Sequence, residues 1–463
     1  MSKPPKPRRP SAFFGDFVHC TSLGEVEILH DHLVVVNIDG FIESVEPSSS
    51  EKCQRYLKGE GDIECMIPQG CFTIPTFCDL HLHAPQFLYQ GTGLHLSLME
   101  WLNEYAFKAE ERIDGDEILS KKVYKRLARR LIENGTGAVV LFGTIREETN
   151  LILAEAMLEA GLRAYVGKLS MDKSSRETYI ESSAKQALSS ASSFADRCEE
   201  LVRKKPQHKR LVKPILTPRF VPTCSDELLK GLGRLSDSRG LWIQSHMAEA
   251  HDQVKWVREE RGVEDIEVFE RSGLLTPRTI QAHCTFLDPP SLSHVAELGT
   301  SIAHCPLSNA YFSAEPFRLR ESLDQKVKVG LGTDIAGGYN LDIMSSMRQA
   351  VAISRMREGS RVMANEKGKE KGKDSGNQVL SIDWKEALYL ATTGGARAMG
   401  LPTGTGTIEV GAPFDVQMIQ LIDEVSGEGV GQMDFFDIPY YQAGKLTLKE
   451  VEKWWKALIH SDD

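Results

Sequence analysis

Residues 71–86, CFTIPTFCDLHLHAPQ, are the stretch on which the fold assignment depends. The first part is a short apolar run of the kind that forms a buried strand, and two histidines follow it. Seven further apolar runs lie downstream with helical patterns between them: GAVVLFGT (137–144), RAYVGKLS (163–170), VKPILTPRF (212–220), LWIQSH (241–246), TIQAHC (279–284), SIAHC (301–305) and VKVGLGTD (327–334). Strands that alternate with helices form a parallel sheet, and eight of them close into a TIM barrel. The sequence therefore predicts an α/β fold with a (β/α)8 barrel over residues 73–400.

The segments on either side of the barrel predict a second, smaller domain. Residues 12–72 and 401–445 contain short β-rich runs broken by turn residues, and we expect them to form one β-sandwich from both termini. Residues 1–11 are Pro-rich and basic but lack the apolar core of a secretory signal, which predicts a disordered tail. The polar run at 365–378, NEKGKEKGKDSGNQ, predicts a mobile insertion. Residues 446–463 predict a C-terminal helix.

The composition indicates a protein that acts on small molecules. The formal net charge is -10, whereas nucleic acid and anionic membranes attract basic proteins. No run of about 18 apolar residues is present to span a membrane. The nine cysteines are scattered without a CxxC pair, which is typical of reduced thiols in the cytoplasm. We therefore expect a cytoplasmic protein with no nucleic-acid partner and no membrane attachment.

Histidines and one aspartate end several strands of the predicted barrel: His81, His83, His246, His283 and Asp334. Because the loops after the strands converge on one face of a TIM barrel, we expect these side chains to meet. Residues two apart in an extended segment point the same way, so His81 and His83 form a chelating pair. Imidazoles with a carboxylate suit Zn²⁺, with iron as the alternative, whereas calcium and magnesium prefer oxygen ligands.

A candidate proton carrier follows the fifth strand. Hydrolysis at a metal needs a base that takes a proton from water and returns it to the leaving group. Glu249 lies three residues after His246 in SHMAE (245–249), in the loop on the same face of the barrel. The alternative interpretation is an acid in the first turn of a helix, where its charge complements the helix dipole.

Several motifs resemble the guanine deaminase branch of the amidohydrolase superfamily. The similarity extends from about Thr73 to Gly400, and the pairing of HAPQ with TPRF makes it far more specific than HxH alone. The motifs are DLHLHAPQF (79–87), VKPILTPRF (212–220), HMAE (246–249), AHC (282–284), HCPLSNA (304–310) and GLGTDIAGGYN (330–340).

The resemblance implies the hydrolysis of guanine to xanthine and ammonia by a homodimer with one Zn²⁺ per chain. The implied metal ligands are His81, His83, His246 and Asp334. The implied catalytic residues are Glu249, His283 and Asp334, with His283 orienting the attacking water or the substrate. The implied substrate contacts are His83, Ala84, Gln86, Arg219, Phe220, His246, Glu249 and Asp334. An arginine fork matches the adjacent O6 and N7 acceptors of guanine, which favours Arg219 as the residue that holds the purine.

Other functions stay open at this point. A deaminase of another heterocycle, such as cytosine, a pterin or a triazine, would use the same scaffold. Cyclic-amide hydrolysis would need two metals and a carboxylated lysine, for which Lys168 and Lys213 lie in predicted strands. A non-catalytic scaffold protein of the same fold is a further alternative. The HxE and PCxxC signature of nucleic-acid base editors is absent, which disfavours that class.

Overall fold

The computed structural model describes residues 10–369, 379–421 and 446–456. These residues form two compact units, each described here by itself. The strands are β1 (Ser11–Ser22), β2 (Glu25–Val36), β3 (Ile42–Pro47), β4 (Cys65–Met66), β5 (Cys71–Pro75), β6 (Phe77–His83), β7 (Thr136–Phe142), β8 (Arg163–Gly167), β9 (Leu169–Ser170), β10 (Val212–Pro218), β11 (Trp242–Met247), β12 (Thr279–His283), β13 (Ser301–His304), β14 (Lys328–Leu331) and β15 (Val416–Gln420).

The helices are α1 (Glu51–Arg55), α2 (Leu98–Trp101), α3 (Phe107–Asp114), α4 (Glu117–Glu133), α5 (Glu147–Ala160), α6 (Ala184–Arg203), α7 (Asp226–Arg239), α8 (His251–Arg261), α9 (Asp265–Arg271), α10 (Pro289–Glu297), α11 (Pro306–Ser308), α12 (Leu319–Asp324), α13 (Ile343–Lys369), α14 (Trp384–Ala391), α15 (Thr393–Ala398) and α16 (Leu448–Lys456). A π-helical turn, Leu102–Ala106, joins α2 to α3, and a short 3₁₀ helix, Ala84–Tyr89, follows β6. None of the helices within the described ranges is long and apolar enough to cross a membrane.

The larger unit, Phe77–Asp383 with Ala398–Gly400, is the barrel that the sequence predicts. Its strands run parallel in the order β6-β7-β8-β10-β11-β12-β13-β14, and the short β9 pairs with β10. The amide of Asp334 donates to the His81 carbonyl at 2.8 Å, and the amide of His83 donates to the Ile335 carbonyl at 3.0 Å. These bonds connect the segment after β14 to β6, so they bring the first and last strands of the sheet together.

Helices cover the barrel strands with apolar side chains. Leu127 in α4 and Met157 in α5 belong to one buried cluster with Leu141 of β7 and Val166 of β8. Burial of each such side chain stabilises the fold by about 1.5–3 kcal/mol. Local signals set the helix bounds: the Ser225 side chain accepts from the Leu228 amide at the start of α7. The helix ends at Gly240, whose φ of 66° favours glycine.

The smaller unit contains a six-stranded sheet built from both ends of the chain, in the order β15-β5-β1-β2-β3 with β4 beside β1. Alternate side chains of β2 enter cores on its two faces: Val34 joins the cluster with Phe17, whereas Val35 joins the cluster with Cys53. The described strands form this single sheet, where the sequence predicted a sandwich. The bulges in β1 after Gly15 and Cys20 interrupt its pairing with β2.

The boundary between the units lies between Thr76 and Phe77, four residues later than expected. The first predicted barrel run therefore contains two strands. β5 pairs with β15 in the smaller unit, and the Thr76 amide still donates to the Asp415 carbonyl at 3.0 Å. The Phe77 amide donates instead to the Gly135 carbonyl at 2.9 Å, beside β7. Residues 384–397 also belong to the smaller unit. A continuous apolar run carries no signal for this change of partner.

The predicted terminal and inserted segments are described in part. Residues 1–9 of the expected tail lie outside the described residues, and Ser11 already belongs to β1. Residues 365–369 of the expected insertion extend α13, while 370–378 lie outside the described residues. The expected C-terminal helix is seen as α16, where Trp454 packs edge-on against Phe72 at 5.6 Å. Residues 457–463 lie outside the described residues.

Candidate active site

The strand-end residues meet at the carboxyl end of the barrel. His81 and His83 end β6, His246 lies in β11 and His283 ends β12. Asp334 follows β14, and all five side chains are buried. Parallel strands end at one face of a barrel, so residues up to 253 positions apart in sequence become neighbours there.

The imidazoles of this cluster face one another across a few ångströms. His83 Nε2 lies 3.0 Å from His246 Nε2, and His81 Nε2 lies 3.1 Å from Asp334 Oδ1. His83 Nε2 is 3.6 Å from the same carboxylate oxygen, and His283 Nε2 is 3.9 Å from Asp334 Oδ2. Ligand atoms of His81, His83 and His246 all lie within 4.8 Å of one another, as do those of His81, His283 and Asp334.

Hydrogen bonds at the outer ring nitrogens fix the tautomers of two histidines. His246 Nδ1 lies 2.6 Å from the Arg219 carbonyl oxygen, which only accepts, so Nδ1 carries the proton. His283 Nδ1 lies 2.9 Å from Asn309 Oδ1 and likewise donates. In the neutral rings Nε2 then presents its lone pair to the cluster, which is the form that binds a metal.

Burial holds the ligand candidates neutral. The pKa values of His81, His83 and His246 lie well below the ordinary value because burial disfavours the charged ring and the neighbouring imidazoles repel it. The inner nitrogens of His81 and His283 have no hydrogen-bond partner among the described residues. Buried polar atoms are nearly always satisfied in native proteins, so these unpartnered ring nitrogens fit a cation bound by nitrogen and oxygen ligands.

Hydrogen bonds from backbone amides to a buried carboxyl group hold the segments that carry the cluster. Asp79, two residues before His81, accepts from the His81 amide at 3.2 Å and from the Thr333 amide at 3.1 Å. His283 and Asp334 adopt left-handed backbone angles, with φ of 68° and 50°. Such angles are uncommon outside glycine, although Asp and His adopt them more readily than most residues, and they cluster at binding and catalytic sites.

Glu249 lies beside the cluster in the loop after β11. Its Oε1 is 3.5 Å from His283 Nε2, and its side chain is buried. Its amide donates to Gln253 Oε1 at 3.0 Å, and Ser313 Oγ donates to its carbonyl oxygen. Burial, followed by repulsion from Asp334 and Asp252, raises the pKa of Glu249 well above its ordinary value. A carboxyl with a raised pKa both takes up and returns a proton near neutral pH.

The cluster forms one wall of a buried cavity. Glu249 lies next to the cluster in this lining, and the rest of the lining is apolar except for Gln86 and Arg219. The lining residues are His83, Gln86, Leu98, Trp101, Leu102, Arg219, Phe220, His246, Glu249, Phe312, Asp334 and Gly337. Ala84, for which the resemblance implied a substrate contact, is not among them and lies in the hydrophobic core. His81 and His283 belong to the cluster but are not among the residues that line the cavity.

A buried acid that the sequence motifs did not single out contacts two of the residues that line the cavity. Glu110 in α3 accepts from Gln86 Nε2 at 2.8 Å and from Arg219 Nη1 at 2.5 Å. Its side chain is fully buried, on the same helix face as Phe107 and Ile113. An acid within an apolar stripe at helical spacing is the signal that would have found it. Asn309, which orients His283, was within the quoted motif HCPLSNA but received no role.

Neither strand lysine lies at the cluster. Lys168 Nζ donates to Glu181 Oε1 at 2.5 Å and to the Leu169 carbonyl at 2.7 Å. Lys213 is exposed, with Nζ 5.6 Å from the Tyr165 ring centroid. A carboxylated lysine that bridges two metals would have to reach the histidines, so these contacts disfavour the binuclear alternative.

Comparisons with known proteins agree with this geometry. Residues 72–445 match the Amidohydrolase family. The chain is 35% identical to a guanine deaminase of Dictyostelium discoideum over 419 residues, which cover 88% of each chain. It is 35% identical to the guanine deaminase of Homo sapiens over 412 residues, 88% of this chain and 86% of the relative. The structure of a guanine deaminase from C. acetobutylicum with guanine in its active site aligns with a TM-score of 0.80 at 28% identity, covering 97% of this chain and 96% of the other.

Proposed function

This chain belongs to the amidohydrolase family, and from that premise we propose that it is a guanine deaminase, which hydrolyses guanine to xanthine and ammonia. The observation that carries the proposal is one cavity whose lining combines residues of the histidine cluster and Glu249 with the buried Arg219 and Gln86. Relatives 35% identical over most of both chains act on guanine by name, which supports the substrate.

The metal of this proposal is one Zn²⁺ per chain, held by His81, His83, His246 and Asp334. Three neutral imidazoles and a carboxylate are a donor set that suits zinc. A zinc ion bound there would lower the pKa of a coordinated water to about 7 and would so supply a nucleophile at neutral pH. The protonated Nδ1 of His246 keeps that ring in the tautomer that binds.

The purine lies between the cluster and α3. Arg219 donates to the adjacent O6 and N7 acceptors of guanine, which turns the C2 amino group toward Glu249 and the histidines. Gln86 makes a polar contact with the edge of the purine ring, and Phe220 packs against the ring. Leu98, Trp101 and Phe312 provide apolar walls that exclude bulk water and favour a flat aromatic substrate.

Glu249 carries the proton. Its carboxylate takes a proton from the attacking water and delivers it to a ring nitrogen as the C2–O bond forms. It then takes the second proton from the new C2 hydroxyl and gives it to the departing amine. The C2–N bond breaks, ammonia leaves, and the water oxygen remains as the new carbonyl of xanthine. His283 and Asp334 hold the water by hydrogen bonds. Glu249 is suited to this task because its raised pKa allows both proton states.

The deciding experiment measures xanthine by chromatography and ammonia by a coupled assay after incubation of purified zinc-loaded protein with guanine. Equal amounts of the two products are expected, with activity lost on chelation and restored by zinc. Cytosine, a pterin and a triazine are assayed in parallel. Release of ammonia from one of these with none from guanine would replace the proposed substrate, and no release from any would favour the non-catalytic alternative.

Two further properties belong to the proposal. A homodimer follows from the resemblance, and light scattering at twice the chain mass would support it. A cytoplasmic location is supported by the nine cysteines, none of which forms a disulfide. Fluorescence microscopy of a tagged chain in its own cells tests the location, and secretion into the medium would contradict it.

A further inference from the structure

Glu110 is a carboxylate placed where a helix would ordinarily bury an apolar side chain. It shares the buried face of α3 with Phe107 and Ile113, and no part of its side chain is exposed. An isolated buried carboxylate is strongly unfavourable, so its burial requires partners. Its two oxygens have one partner each, and both partners are polar residues that line the cavity.

The contacts fix the direction in which Gln86 presents its amide. Gln86 Nε2 donates to Glu110 Oε1 at 2.8 Å, while Gln86 Oε1 accepts from the Ala336 amide at 3.1 Å. Both ends of the amide are therefore committed, and a flip would place like groups against each other. One N–H of the amide is left for a ligand in the cavity.

The same carboxylate fixes the plane of the Arg219 guanidinium. Nη1 donates to Glu110 Oε2 at 2.5 Å, and the guanidinium carbon lies 4.9 Å from the ring centroid of Phe107, one helical turn before Glu110. A guanidinium held by an ion pair and a ring face loses its freedom to rotate. Of its five N–H donors, those that do not point at Glu110 stay available to a planar acceptor edge.

Glu110 also determines the charge of the cavity wall. Burial favours the neutral form of Arg219, but the adjacent carboxylate outweighs burial and the pKa of Arg219 is raised. The histidine cluster on the opposite wall binds a cation under the proposed function. Without a buried anion, the cavity would hold two cationic groups and no compensating charge on the purine side.

We propose that Glu110 is a positioning residue that makes the pocket selective for a 6-oxopurine, by holding Arg219 and Gln86 in the orientation that reads the O6 and N7 edge. This inference rests on the proposed function for its ligand. A purely structural role would weaken the binding of all purines alike. The proposed role predicts a loss of affinity that is confined to ligands with a 6-oxygen. Arg219 and Glu110 act as one unit, so the effects of removing each overlap.

The test uses hypoxanthine, which keeps O6 and N7 but lacks the amino group that reacts, and unsubstituted purine, which lacks O6. Their Kd values for zinc-loaded protein are measured by titration calorimetry, together with kcat and KM for guanine. The variants are Glu110→Gln, Glu110→Asp, Arg219→Met and the double variant Glu110→Gln/Arg219→Met. Glu111→Gln is the matched control: it lies next on the same helix and also pairs with an arginine, Arg176, but outside the cavity.

Glu110→Gln is expected to weaken hypoxanthine binding roughly ten- to a hundredfold, the range for a charged hydrogen bond, and to raise KM for guanine similarly. Purine binding should change by less than about threefold, because purine offers no O6 to the fork. The double variant should match Arg219→Met, and Glu110→Asp should restore part of the affinity because it keeps the charge. Glu111→Gln should bind both probes like the wild type.

Equal losses for hypoxanthine and purine would overturn the proposal, as would additive effects in the double variant. If Glu110→Gln does not fold, Glu110→Asp gives the same comparison of hypoxanthine with purine, because it shortens the side chain that holds Arg219 and keeps its charge. A wild type that makes no xanthine from guanine overturns the proposed function. A wild type that makes xanthine, with unchanged hypoxanthine affinity in Glu110→Gln, overturns only the role of Glu110.

Discussion

The two ends of the cavity are built in different ways. At the metal end, neighbouring strands supply the side chains, and much of their support comes through the backbone: Asp79 accepts from the His81 amide, and Asp265 accepts from the Ala248 amide at 3.1 Å, although His283 also donates to the Asn309 side chain. At the purine end, the main support runs from side chain to side chain, through Glu110 to Arg219 and Gln86, with one backbone contact from the Ala336 amide to Gln86. A backbone contact survives many changes of side chain, whereas a contact between two side chains depends on both. We therefore expect the purine end to be the place where selectivity is set.

The largest effect is expected from removing a metal ligand. His246→Gln takes away an imidazole whose Nε2 faces His83 Nε2 at 3.0 Å. Activity on guanine should fall on the order of 10⁴-fold or more, because without the metal no water is activated at neutral pH. Zinc content, measured by mass spectrometry after gel filtration, should fall in parallel.

His304→Gln is the control for this variant. His304 ends the neighbouring strand β13 and is equally buried, but it packs against Phe317 at 5.0 Å outside the cluster. It should keep its zinc. If His246→Gln retains a full complement of zinc, the assignment of the metal end is wrong.

A smaller effect is expected from Glu249→Gln, which separates proton transfer from metal binding. The amide keeps the shape of the side chain but cannot carry a proton, so kcat should fall roughly 10²- to 10⁴-fold. Zinc content should remain that of the wild type, since Glu249 is not among the proposed ligands. Glu259→Gln, exposed on α8, is the control and should leave kcat unchanged. A normal kcat in Glu249→Gln would show that a group other than Glu249 carries the proton.

The difference between the two ends also explains what the sequence could predict. Each histidine of the metal end follows an apolar run, and strand ends converge in any parallel barrel, so the cluster follows from order alone. The helical spacing of Phe107, Glu110 and Ile113 indicates that Glu110 is buried, but not which groups it meets. Its partner Arg219 lies 109 positions away, and no local pattern encodes that contact. The change of sheet at Thr76 was hidden for a related reason: β5 and β6 are both buried along their whole length, and their hydrogen-bond partners differ.

At the purine end, Arg219→Met should raise KM for guanine by roughly ten- to a hundredfold and leave kcat within about threefold, because Arg219 holds the base and does not take part in proton transfer. Zinc content should be unchanged. Steady-state kinetics over a wide range of guanine concentrations measures the two constants separately. Arg261→Met, beyond the cavity and paired with Asp226, is the control. A fall in kcat at constant KM would place Arg219 in the chemical step and remove the contrast between the two ends.

The smallest effect on activity is expected from Asp265→Asn, which changes a residue that supports the backbone of the metal end. Asp265 Oδ2 accepts from the Ala248 amide and from Gln253 Nε2 at 2.6 Å, and Gln253 in turn accepts from the Glu249 amide. An asparagine oxygen accepts the same bonds, so kcat should change by less than about threefold. This outcome would support the view that backbone support tolerates substitution, and a loss as large as that of Glu249→Gln would contradict it.

The same variant carries a signed prediction for stability. Burial raises the pKa of Asp265 to about 7. The folded protein therefore keeps a proton that the unfolded chain loses above about 4, so this group stabilises the fold most at low pH and progressively less as pH rises to 7. The side-chain amide in Asp265→Asn does not ionise, so the variant would lack this dependence. Relative to the wild type, Asp265→Asn should gain on the order of 1 kcal/mol of unfolding free energy per pH unit between about pH 5 and 7, with no further gain above that range. Urea unfolding of both proteins across this range measures the difference, and a difference that does not vary with pH would show that Asp265 is ionised in the fold throughout.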